Sequence, residues 1–296
     1  MTTTPVQPAP RLSVVIPVYN EEQTIAGCLE RLTGQLGDIA EVVVVDNNSS
    51  DASMELVGAI AAEHPEVRII RETTQRLVYA RNAGIDSATG DIIARIDADT
   101  HVPSTWARTI VDFFAADTDR SWSALCGRGE AYGVPMSGRF EKVKTLLHPL
   151  GNRRPARAVN EIPVLYGSNM VVRREVWHRI RGRVSMRRDI FEDVDMGLCI
   201  IDTGGRNAFM PELTVGVSPR RMQSGLPSFV KYMSFLPRTF ALHRRFGFAA
   251  VTALVYVPAL TLLHAGRLLV IRTYDAETGR LSPRGLFDAG SDRALP

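Results

Sequence analysis

A chain of 296 residues, of which 45% are hydrophobic and 23% charged, can bury a sizeable core and does not have the composition of a disordered protein. Its formal net charge of +3 is too small to indicate a nucleic-acid-binding protein, so we expect no nucleic-acid partner. The three cysteines stand at unrelated spacings and indicate neither a disulfide framework nor a zinc site, and free thiols are typical of a reducing compartment.

Residues 1–11 are rich in Thr and Pro and contain no apolar run, so we expect a loose N-terminal tail and no signal peptide. After this tail, four apolar, β-branched segments alternate with segments whose apolar residues recur at helical spacing. The predicted strands are residues 12–18, 41–46, 67–70 and 92–96, and the predicted helices are a segment capped by Asn20, residues 52–63, residues 78–87 and a segment starting at Pro103. This alternation predicts an open, mostly parallel α/β sheet with helices on both faces.

Two aspartates, Asp97 and Asp99, directly follow the fourth predicted strand. They are separated by one residue, and strand geometry would direct both side chains to the same face. Two carboxylates at one place repel each other and suit a hard divalent cation such as Mg²⁺ or Mn²⁺, although an isolated pair also fits a solvated turn. Tyr19 and Asp46 stand at the ends of the first two strands, so we expect all four side chains at the ligand-binding edge of the sheet.

The second half of the chain has a less regular pattern. We predict a strand at residues 122–128, a helix at 137–147, a basic loop at 153–157, and a strand at 164–173 that Gly167 and Ser168 interrupt. Glu192, Asp193 and Asp195 open a segment with helical spacing of its apolar residues. Acidic residues stabilise the first turn of any helix, so this cluster alone does not indicate a catalytic site.

Residues 246–266 contain no formally charged side chain, and as a helix this segment would be long enough to cross a bilayer. Arginines flank this segment on both sides, and residues 229–240 mix aromatic side chains with Lys and Arg, as helices at a membrane surface do. Three interpretations compete: a single membrane span, a pair of helices in the membrane plane, and a buried C-terminal hairpin. We expect membrane contact through residues 226–271.

Five short motifs occur in the order that is typical of one enzyme family, and each lies at the end of a predicted strand or helix. They are Ser13-Val-Val-Ile-Pro-Val-Tyr-Asn-Glu21, Val44-Val-Asp-Asn-Asn-Ser-Ser-Asp51, Ala80-Arg-Asn-Ala-Gly84, Asp97-Ala-Asp99 and Glu192-Asp193. Together they resemble the inverting family-2 glycosyltransferases with a GT-A fold. The expected organisation is a flexible tail at residues 1–11, a GT-A domain at 12–222 and a helical, membrane-associated segment at 223–296.

The resemblance implies a nucleotide-binding set of residues. This set comprises Pro17, Tyr19, Glu21, Asp46, Arg81 and Asp97. Tyr19 is expected to stack on the base, Asp46 to accept a hydrogen bond from the base or ribose, and Arg81 to contact a phosphate. The alternatives are a packing role for Tyr19, a turn cap for Asp46 and an exposed helix cation for Arg81. The family often has a second acid after the first, where this chain has Asn47.

Asp97 and Asp99 match the Asp-x-Asp signature of the family. The resemblance implies a bound Mn²⁺ or Mg²⁺ ion that neutralises the departing diphosphate. Asp99 is the expected direct ligand, and Asp97 is expected to contact either the metal or the ribose. Arg220 and Arg221 stand where some relatives carry basic residues that contact the diphosphate, although a solvated basic loop fits them equally well.

Asp193 matches the residue that deprotonates the acceptor hydroxyl in an inverting transfer. Glu192 and Asp195 lie close to it in sequence, so their charges are expected to raise its pKa and make it a better base. The same closeness makes both neighbours alternative candidates for the base.

The sequence thus predicts a metal-dependent inverting glycosyltransferase that uses a nucleotide-diphospho-sugar, with a UDP-sugar favoured. A hydroxyl acceptor that is lipid-linked or part of a cell-envelope glycan would suit a protein at the cytoplasmic face of the cell membrane, with a cytoplasmic location as the alternative. Two other functions remain: a catalytically inactive nucleotide-sugar-binding scaffold at the membrane, and a phosphatase of the haloacid-dehalogenase type. The phosphatase is disfavoured because that family has its Asp-x-Asp after the first strand.

Overall fold

The computed structural model describes residues 8–132, 159–220, 224–275 and 280–281, and from residue 269 onward it describes the backbone only. These residues fall into two compact units. The sheet unit comprises residues 8–130, 159–186 and 192–217, and the helical unit comprises residues 131–132, 187–191 and the described part of 218–281. The predicted helix at 137–147, the basic loop at 153–157 and Arg221 lie outside the described residues.

Within the described residues, eight strands form one mixed sheet in the order β3-β2-β1-β4-β7-β5-β8-β6. The strands are β1 (Leu12–Val18), β2 (Glu41–Asp46), β3 (Val67–Arg71), β4 (Ile92–Arg95), β5 (Ala124–Ala131), β6 (Asn160–Glu161), β7 (Met170–Arg173) and β8 (Asn207–Val217). The first four strands are mutually parallel, whereas β7 runs antiparallel to both β4 and β5. The predicted open, mostly parallel α/β sheet is confirmed.

Helices connect the parallel strands and cover the sheet. They are α1 (Ile25–Thr33), α2 (Ser53–Glu63), α3 (Leu77–Ser87), α4 (Trp106–Ala116), α5 (Arg174–Ile180) and α6 (Glu192–Asp202). The apolar stripe of α1 packs into the core with Ile25, Leu29 and Leu32 fully buried, and β1 and β2 are buried along nearly their whole length. Since burial of each such side chain contributes about 1.5–3 kcal/mol, this core holds the strand ends in fixed positions.

Two predicted helix starts are wrong. Asn20 does not cap the first helix, because α1 begins at Ile25 and the Asn20 side chain accepts a hydrogen bond from the Ser50 amide instead, at 2.8 Å. Asn20 also has a φ of 52°, a left-handed conformation that Asn tolerates better than most residues. The fourth helix begins at Trp106 and not at Pro103, since a turn comes first.

The strands of the second half also differ from their predicted bounds. The strand predicted at 122–128 runs from Ala124 to Ala131. The predicted strand at 164–173 is shorter than expected, because Gly167–Asn169 forms a 3₁₀ turn and only Met170–Arg173 pairs with a neighbouring strand. The glycine that interrupts the apolar pattern therefore marks a turn that ends where the strand begins.

The helical unit contains α7 (Leu226–Met233), α8 (Phe235–Leu242), α9 (Phe246–Val251) and α10 (Val257–Thr273), with a π-helical turn at Thr252–Tyr256. A short β9–β10 pair, Tyr274–Asp275 with Arg280–Leu281, follows α10. Among the described residues, Phe246–Leu268 is the one helical segment long and apolar enough to cross a membrane by length and composition. The π-helical turn lies directly before α10, whose second residue is Pro258.

Within the segment Phe246–Leu268, two polar residues lie inside and several large apolar residues face outward. Thr252 and His264 are buried, and the His264 ring stacks on Phe229 of α7 at 4.0 Å between centroids. By contrast, Leu254 and Leu262 are 78% and 75% exposed. Because the described residues leave this apolar face uncovered, the structure favours the two membrane interpretations over the buried hairpin.

Candidate active site

The loops after β1 and β2 bind each other through side chain to backbone hydrogen bonds. The Asn20 side chain accepts from the Ser50 amide at 2.8 Å, and the Ser53 hydroxyl accepts from the Glu21 amide at 2.8 Å. The parallel register places Val18 beside Asp46, so both loops leave the sheet at the same edge. This edge is the carboxyl end of the parallel strands, where ligands of open α/β sheets bind.

Tyr19 and Asp46 lie at this edge of the sheet. Tyr19 is 50% exposed, and its ring is accessible at the start of the first loop. The Asp46 carboxylate accepts a hydrogen bond from the Ser49 amide at 2.8 Å, which is the turn-capping contact expected of an Asp before Asn and Ser. Pro17 lies within β1 and Glu21 at the end of the first loop, where the Glu21 carboxylate accepts a hydrogen bond from Thr24 at 2.9 Å.

Asn47 connects the second loop to the one that follows β3. It is buried, and its amide nitrogen donates to the carbonyl oxygens of Glu72 and Thr74 at 2.8 and 2.9 Å. Its amide oxygen accepts from the Arg76 backbone at 2.6 Å. An acid here could not donate to the two carbonyls, so the amide suits this position. The sequence analysis noted Asn47 only because the family often has an acidic residue at this position. Its role in joining the two loops by hydrogen bonds was not predicted.

Asp97 and Asp99 lie on a tight turn directly after β4. The Thr100 amide donates to the Asp97 carbonyl at 3.0 Å, and the Thr100 hydroxyl accepts from the Asp97 amide at 3.2 Å. Both aspartates are partly exposed. The Cys28 Sγ atom lies 3.8 Å from the Asp97 carbonyl oxygen, and burial together with the charges of Asp99 and Asp97 raises the pKa of this thiol to about 12, so it stays protonated.

This donor set fits a hard divalent cation. It offers two carboxylates, which Mg²⁺ and Mn²⁺ prefer, whereas the neighbouring Cys28 thiol is buried and is a soft ligand that suits these ions poorly. One oxygen of Asp97 forms an ion pair with Arg95, at 2.6 Å from the Arg95 Nη2 atom, while the carboxylate remains 41% exposed. Asp97 thus has one side fixed by the protein and one side open.

Gly167 lies between Arg95 and Asp193. The Gly167 amide donates to the Asp193 carboxylate at 2.7 Å. A Cβ atom at Gly167 would collide with the Arg95 guanidinium and would lie 3.2 Å from the same Asp193 oxygen. The guanidinium that binds Asp97 therefore lies close to Asp193, and the structure brings the predicted metal ligand and the predicted base into one cluster.

Asp193 is in the first turn of α6 and remains partly exposed. Burial, and next the charge of Glu192, raise the pKa of Asp193 to about 6, while the amides of Gly167 and Val194 and the charge of Arg95 act in the opposite direction. Such a carboxylate is mostly ionised at neutral pH and is still basic enough to accept a proton. Asp195 is buried and accepts a hydrogen bond from the Ser185 amide at 2.7 Å.

Arg81 is fully buried on α3, so the alternative of an exposed helix cation is wrong. Its Nη1 donates to the Glu192 carbonyl at 2.9 Å, and its other two nitrogens donate to the Asn82 side chain at 2.8 and 3.0 Å. In this conformation the guanidinium supports the start of α6 and does not face solvent. Its contact with a phosphate remains a prediction that requires these bonds to be exchanged.

The remaining predicted phosphate contacts belong to another part of the chain. Arg220 lies in the helical unit, where its amide donates to the Ser218 hydroxyl at 3.4 Å. Arg221 is outside the described residues. In contrast, Arg95 and Gly167 were not predicted from the sequence as site residues. Their signals were a charged side chain in an apolar strand and a glycine that interrupts another strand.

Comparison with protein families gives one match that covers more than half of the chain. The model described as "Glycosyl transferase family 2" matches residues 13–181. This range contains the first four of the five motifs and ends before the segment that contains Asp193.

Curated relatives are similar over about a third of this chain. The uncharacterized glycosyltransferase YibD of Escherichia coli is 34% identical over 107 residues, which are 36% of this chain and 31% of YibD. The undecaprenyl-phosphate 4-deoxy-4-formamido-L-arabinose transferase of Pectobacterium carotovorum is 37% identical over 114 residues, 36% of this chain and 35% of the relative. The chain therefore matches about a third of the length of these relatives.

Solved structures resemble nearly the whole chain. A mannosyltransferase from Pyrobaculum calidifontis, in complex with GDP-Man and Mn²⁺, aligns over 90% of this chain and 75% of its own with a TM-score of 0.63 and 22% identity. GalNAc-T7 with UDP, GalNAc and Mn²⁺ aligns over 88% of this chain and 55% of its own with a TM-score of 0.57 and 17% identity. At these identities the likeness establishes the fold, which is the GT-A fold that the motifs imply.

Proposed function

The chain belongs to glycosyl transferase family 2, and from that premise we propose that it transfers a sugar from a nucleotide-diphospho-sugar to an acceptor hydroxyl, with inversion at the anomeric carbon. A UDP-sugar is our first choice of donor. Family membership excludes the phosphatase alternative. The observation that carries the proposal is the cluster in which Asp97 and Asp193 lie on either side of Arg95 and Gly167.

In the proposed reaction, Asp193 is the general base. Its carboxylate is partly exposed, and its pKa of about 6 leaves it ionised at neutral pH. It accepts the proton of the acceptor hydroxyl while that oxygen forms a bond to the anomeric carbon. The bond from this carbon to the diphosphate oxygen breaks, and its electron pair leaves with the nucleoside diphosphate. Asp195 is the weaker candidate because it is buried and already accepts a backbone hydrogen bond.

Asp97 and Asp99 would hold the metal ion. When bound, a Mn²⁺ or Mg²⁺ ion neutralises charge on the leaving diphosphate. The chain fixes Asp97 through Arg95 and through the turn at Thr100, so its carboxylate need not be ordered when the donor arrives. Tyr19 would stack on the nucleotide base, and Asp46 would accept a hydrogen bond from the base or ribose with its outer oxygen.

A donor panel tests this proposal directly. The purified protein is incubated with UDP-, GDP- and TDP-sugars and Mn²⁺, and release of the nucleoside diphosphate is measured with and without candidate acceptors. We expect Asp99→Ala and Asp193→Asn to reduce turnover by about 10²-fold or more, since metal stabilisation and general base catalysis each contribute on that scale. Only Asp99→Ala should also weaken nucleotide binding. Asp119→Asn, an exposed acid in the turn before β5, is the matched control.

Two results would contradict the proposal. Full turnover by Asp99→Ala would remove the metal site from the reaction. Tight binding of a nucleotide-sugar by the wild-type protein without turnover, for every donor and acceptor in the panel, would favour the inactive scaffold.

We also propose that the acceptor is lipid-linked and that the helical unit contacts a membrane. The Pectobacterium relative is named as an undecaprenyl-phosphate transferase, and our chain has an uncovered apolar face with Leu254, Val255 and Leu262 at its centre. Exposed apolar area of this kind is rare on proteins that remain in water. Arg244 and Arg245 precede the segment and suit anionic headgroups.

Flotation with liposomes that contain anionic lipid tests membrane contact. The wild-type protein should float with the vesicles, and Leu254→Glu combined with Leu262→Glu should remain in the soluble fraction. Ile69→Glu, which changes an exposed apolar residue of β3, is the control and should float. A wild-type protein that stays soluble would contradict membrane contact. Extraction of cell membranes with alkaline carbonate then separates a span, which resists it, from an in-plane helix, which is released.

A further inference from the structure

In the reaction proposed above, Arg95 transfers no proton and only fixes Asp97, although it lies at the centre of the site. We propose that Arg95 is a positioning residue shared by the two halves of the site, which fixes the carboxylate of Asp97 and supports the carboxylate of Asp193 next to Gly167. The purpose of this arrangement rests on the proposed function. The contacts themselves can be tested on the protein without any donor, acceptor or metal.

Arg95 is buried at the end of an apolar strand. Its side chain is 3% exposed, and β4 is otherwise Ile92, Ile93 and Ala94. A buried guanidinium is costly unless a carboxylate compensates its charge. The Asp97 carboxylate does so at 2.6 Å, so each side chain holds the other in place.

The environment of Gly167 joins this ion pair to the base. The glycine leaves room for the Arg95 guanidinium where any Cβ atom would collide with it. Its amide donates to the Asp193 carboxylate at 2.7 Å. One glycine thus lies against both groups.

Arg95 also contributes to the charge balance around Asp193. The charged and polar groups that act on this carboxylate are Glu192 of its own helix, Arg95 of β4, Arg81 of α3 and the amides of Gly167 and Val194. The Cys126 thiol of β5 is also near, and burial raises its pKa so that it stays neutral. Burial and Glu192 favour the protonated acid, and the Arg95 charge favours the carboxylate.

The Arg95 orientation depends on few contacts. Among the described residues, its buried Nε atom has no hydrogen-bond partner. We infer that the ion pair with Asp97 and the packing at Gly167 hold the guanidinium in its position. Loss of the Arg95 guanidinium should therefore change both the pKa of Asp193 and the ligand binding that depends on Asp97. An ion pair with a purely structural role would change neither.

The first measurement is the titration of Asp193 in the metal-free protein, followed by carboxyl ¹³C NMR and assigned with Asp193→Asn. Arg95→Met should raise the midpoint by about 1 pH unit, because an opposite charge at short range lowers a carboxyl pKa by that order. Arg95→Lys keeps the charge and should leave the midpoint near the wild-type value. Arg173→Met is the matched control: Arg173 is buried on β7 with an ion pair to Asp117, and the register places it opposite Ile92 rather than Arg95.

The second measurement is the binding of nucleoside diphosphate with Mn²⁺ by calorimetry. Arg95→Lys should bind it about tenfold more weakly, since a lysine cannot hold the Asp97 carboxylate and fill the space at Gly167 with one planar group. Arg173→Met should bind normally. If Arg95→Met does not fold, Gly167→Ala replaces it in the titration, because its Cβ would displace the guanidinium and should raise the Asp193 midpoint, and Arg95→Lys still provides the binding measurement.

An unchanged Asp193 midpoint in Arg95→Met, or unchanged binding in Arg95→Lys, would overturn the inference. Neither result would count for or against the proposed function, which depends on turnover by the wild-type protein and on Asp99→Ala and Asp193→Asn. Conversely, a protein without transferase activity would still show the shift at Asp193 if Arg95 supports it.

Discussion

Replacement of Glu192 by Gln should make the proposed enzyme more active at acid pH. Burial and the Glu192 charge raise the pKa of Asp193 to about 6, and the proposed reaction needs the ionised carboxylate. Gln keeps the size of the side chain and removes its charge, so the pKa of Asp193 should fall. The backbone carbonyl of residue 192, which accepts from Arg81, is unaffected by the substitution.

The magnitude follows from the charge removed. A neighbouring carboxylate commonly raises a pKa by about 1 pH unit, or about 1.4 kcal/mol. With a pKa near 6, about a tenth of Asp193 is ionised at pH 5, and a decrease of this size would bring the ionised fraction to about a half. Turnover at pH 5 should therefore rise about fivefold, while turnover at pH 8 should stay the same.

The assay is the pH dependence of kcat/KM for nucleoside diphosphate release. Asp202→Asn, at the opposite end of α6, is the control and should leave the acidic limb unchanged. An acidic limb that stays in place in Glu192→Gln, or moves to higher pH, would refute the assignment of Asp193 as the base whose pKa Glu192 raises. A uniform loss at all pH values would instead assign an indispensable role to Glu192 itself.

Three further predictions concern Gly167, Glu41 at the amino end of β2, and the metal ion. Gly167→Ala should lower turnover at least about tenfold, because the Cβ atom of the alanine would collide with Arg95. Gly182→Ala is the control and should keep its turnover, since Gly182 has open space around it. Steady-state kinetics measure the turnover of both variants, and circular dichroism shows whether both are folded. Glu41→Gln should lower the free energy of unfolding by about 3 kcal/mol at pH 7, since burial would raise the pKa of Glu41 but the backbone and side-chain hydrogen bonds together outweigh burial and hold this pKa at about 2 instead of 4.5. Because a lowered carboxyl pKa stabilises the fold above the unfolded value, urea titrations should show this difference shrinking as the pH falls from 4.5 towards 2. Treatment with EDTA should abolish turnover, and addition of Mn²⁺ or Mg²⁺ should restore it, whereas full activity after dialysis against chelator would contradict a metal-dependent transfer.

The sequence predicted the parallel half of the sheet well because three of its strands, β1, β2 and β4, are buried on both faces. Such strands read as continuous β-branched runs, and the helices between them have a clear apolar stripe, as α1 does. The polar residues that end these strands then mark the ligand-binding edge without further information. Asp97, Asp99, Tyr19 and Asp46 were placed at this edge in this way, and their roles there remain predictions.

The contacts between distant segments were not predictable. Gly167 approaches Arg95 and Asp193 only when three separate elements are packed together, and local patterns carry no signal for that proximity. Asn20 was misassigned for the same reason: a side chain that suits a helix cap also suits a turn, and the partner at Ser50 decided the outcome. Nor does a run of apolar residues such as 246–266 reveal which of its faces is covered.

The hydrogen bonds of the buried Asn47 amide affect how much conformational entropy the protein would lose when a donor binds. Its three hydrogen bonds tie the turn after β2 to the segment after β3, and those of Asn20 and Ser53 tie the same turn to the segment after β1. Segments that are already ordered lose little conformational entropy when a ligand binds between them. In the proposed site, the segments that would bind the nucleotide are thus ordered in advance, and more of the binding energy would remain for holding the sugar in a reactive orientation.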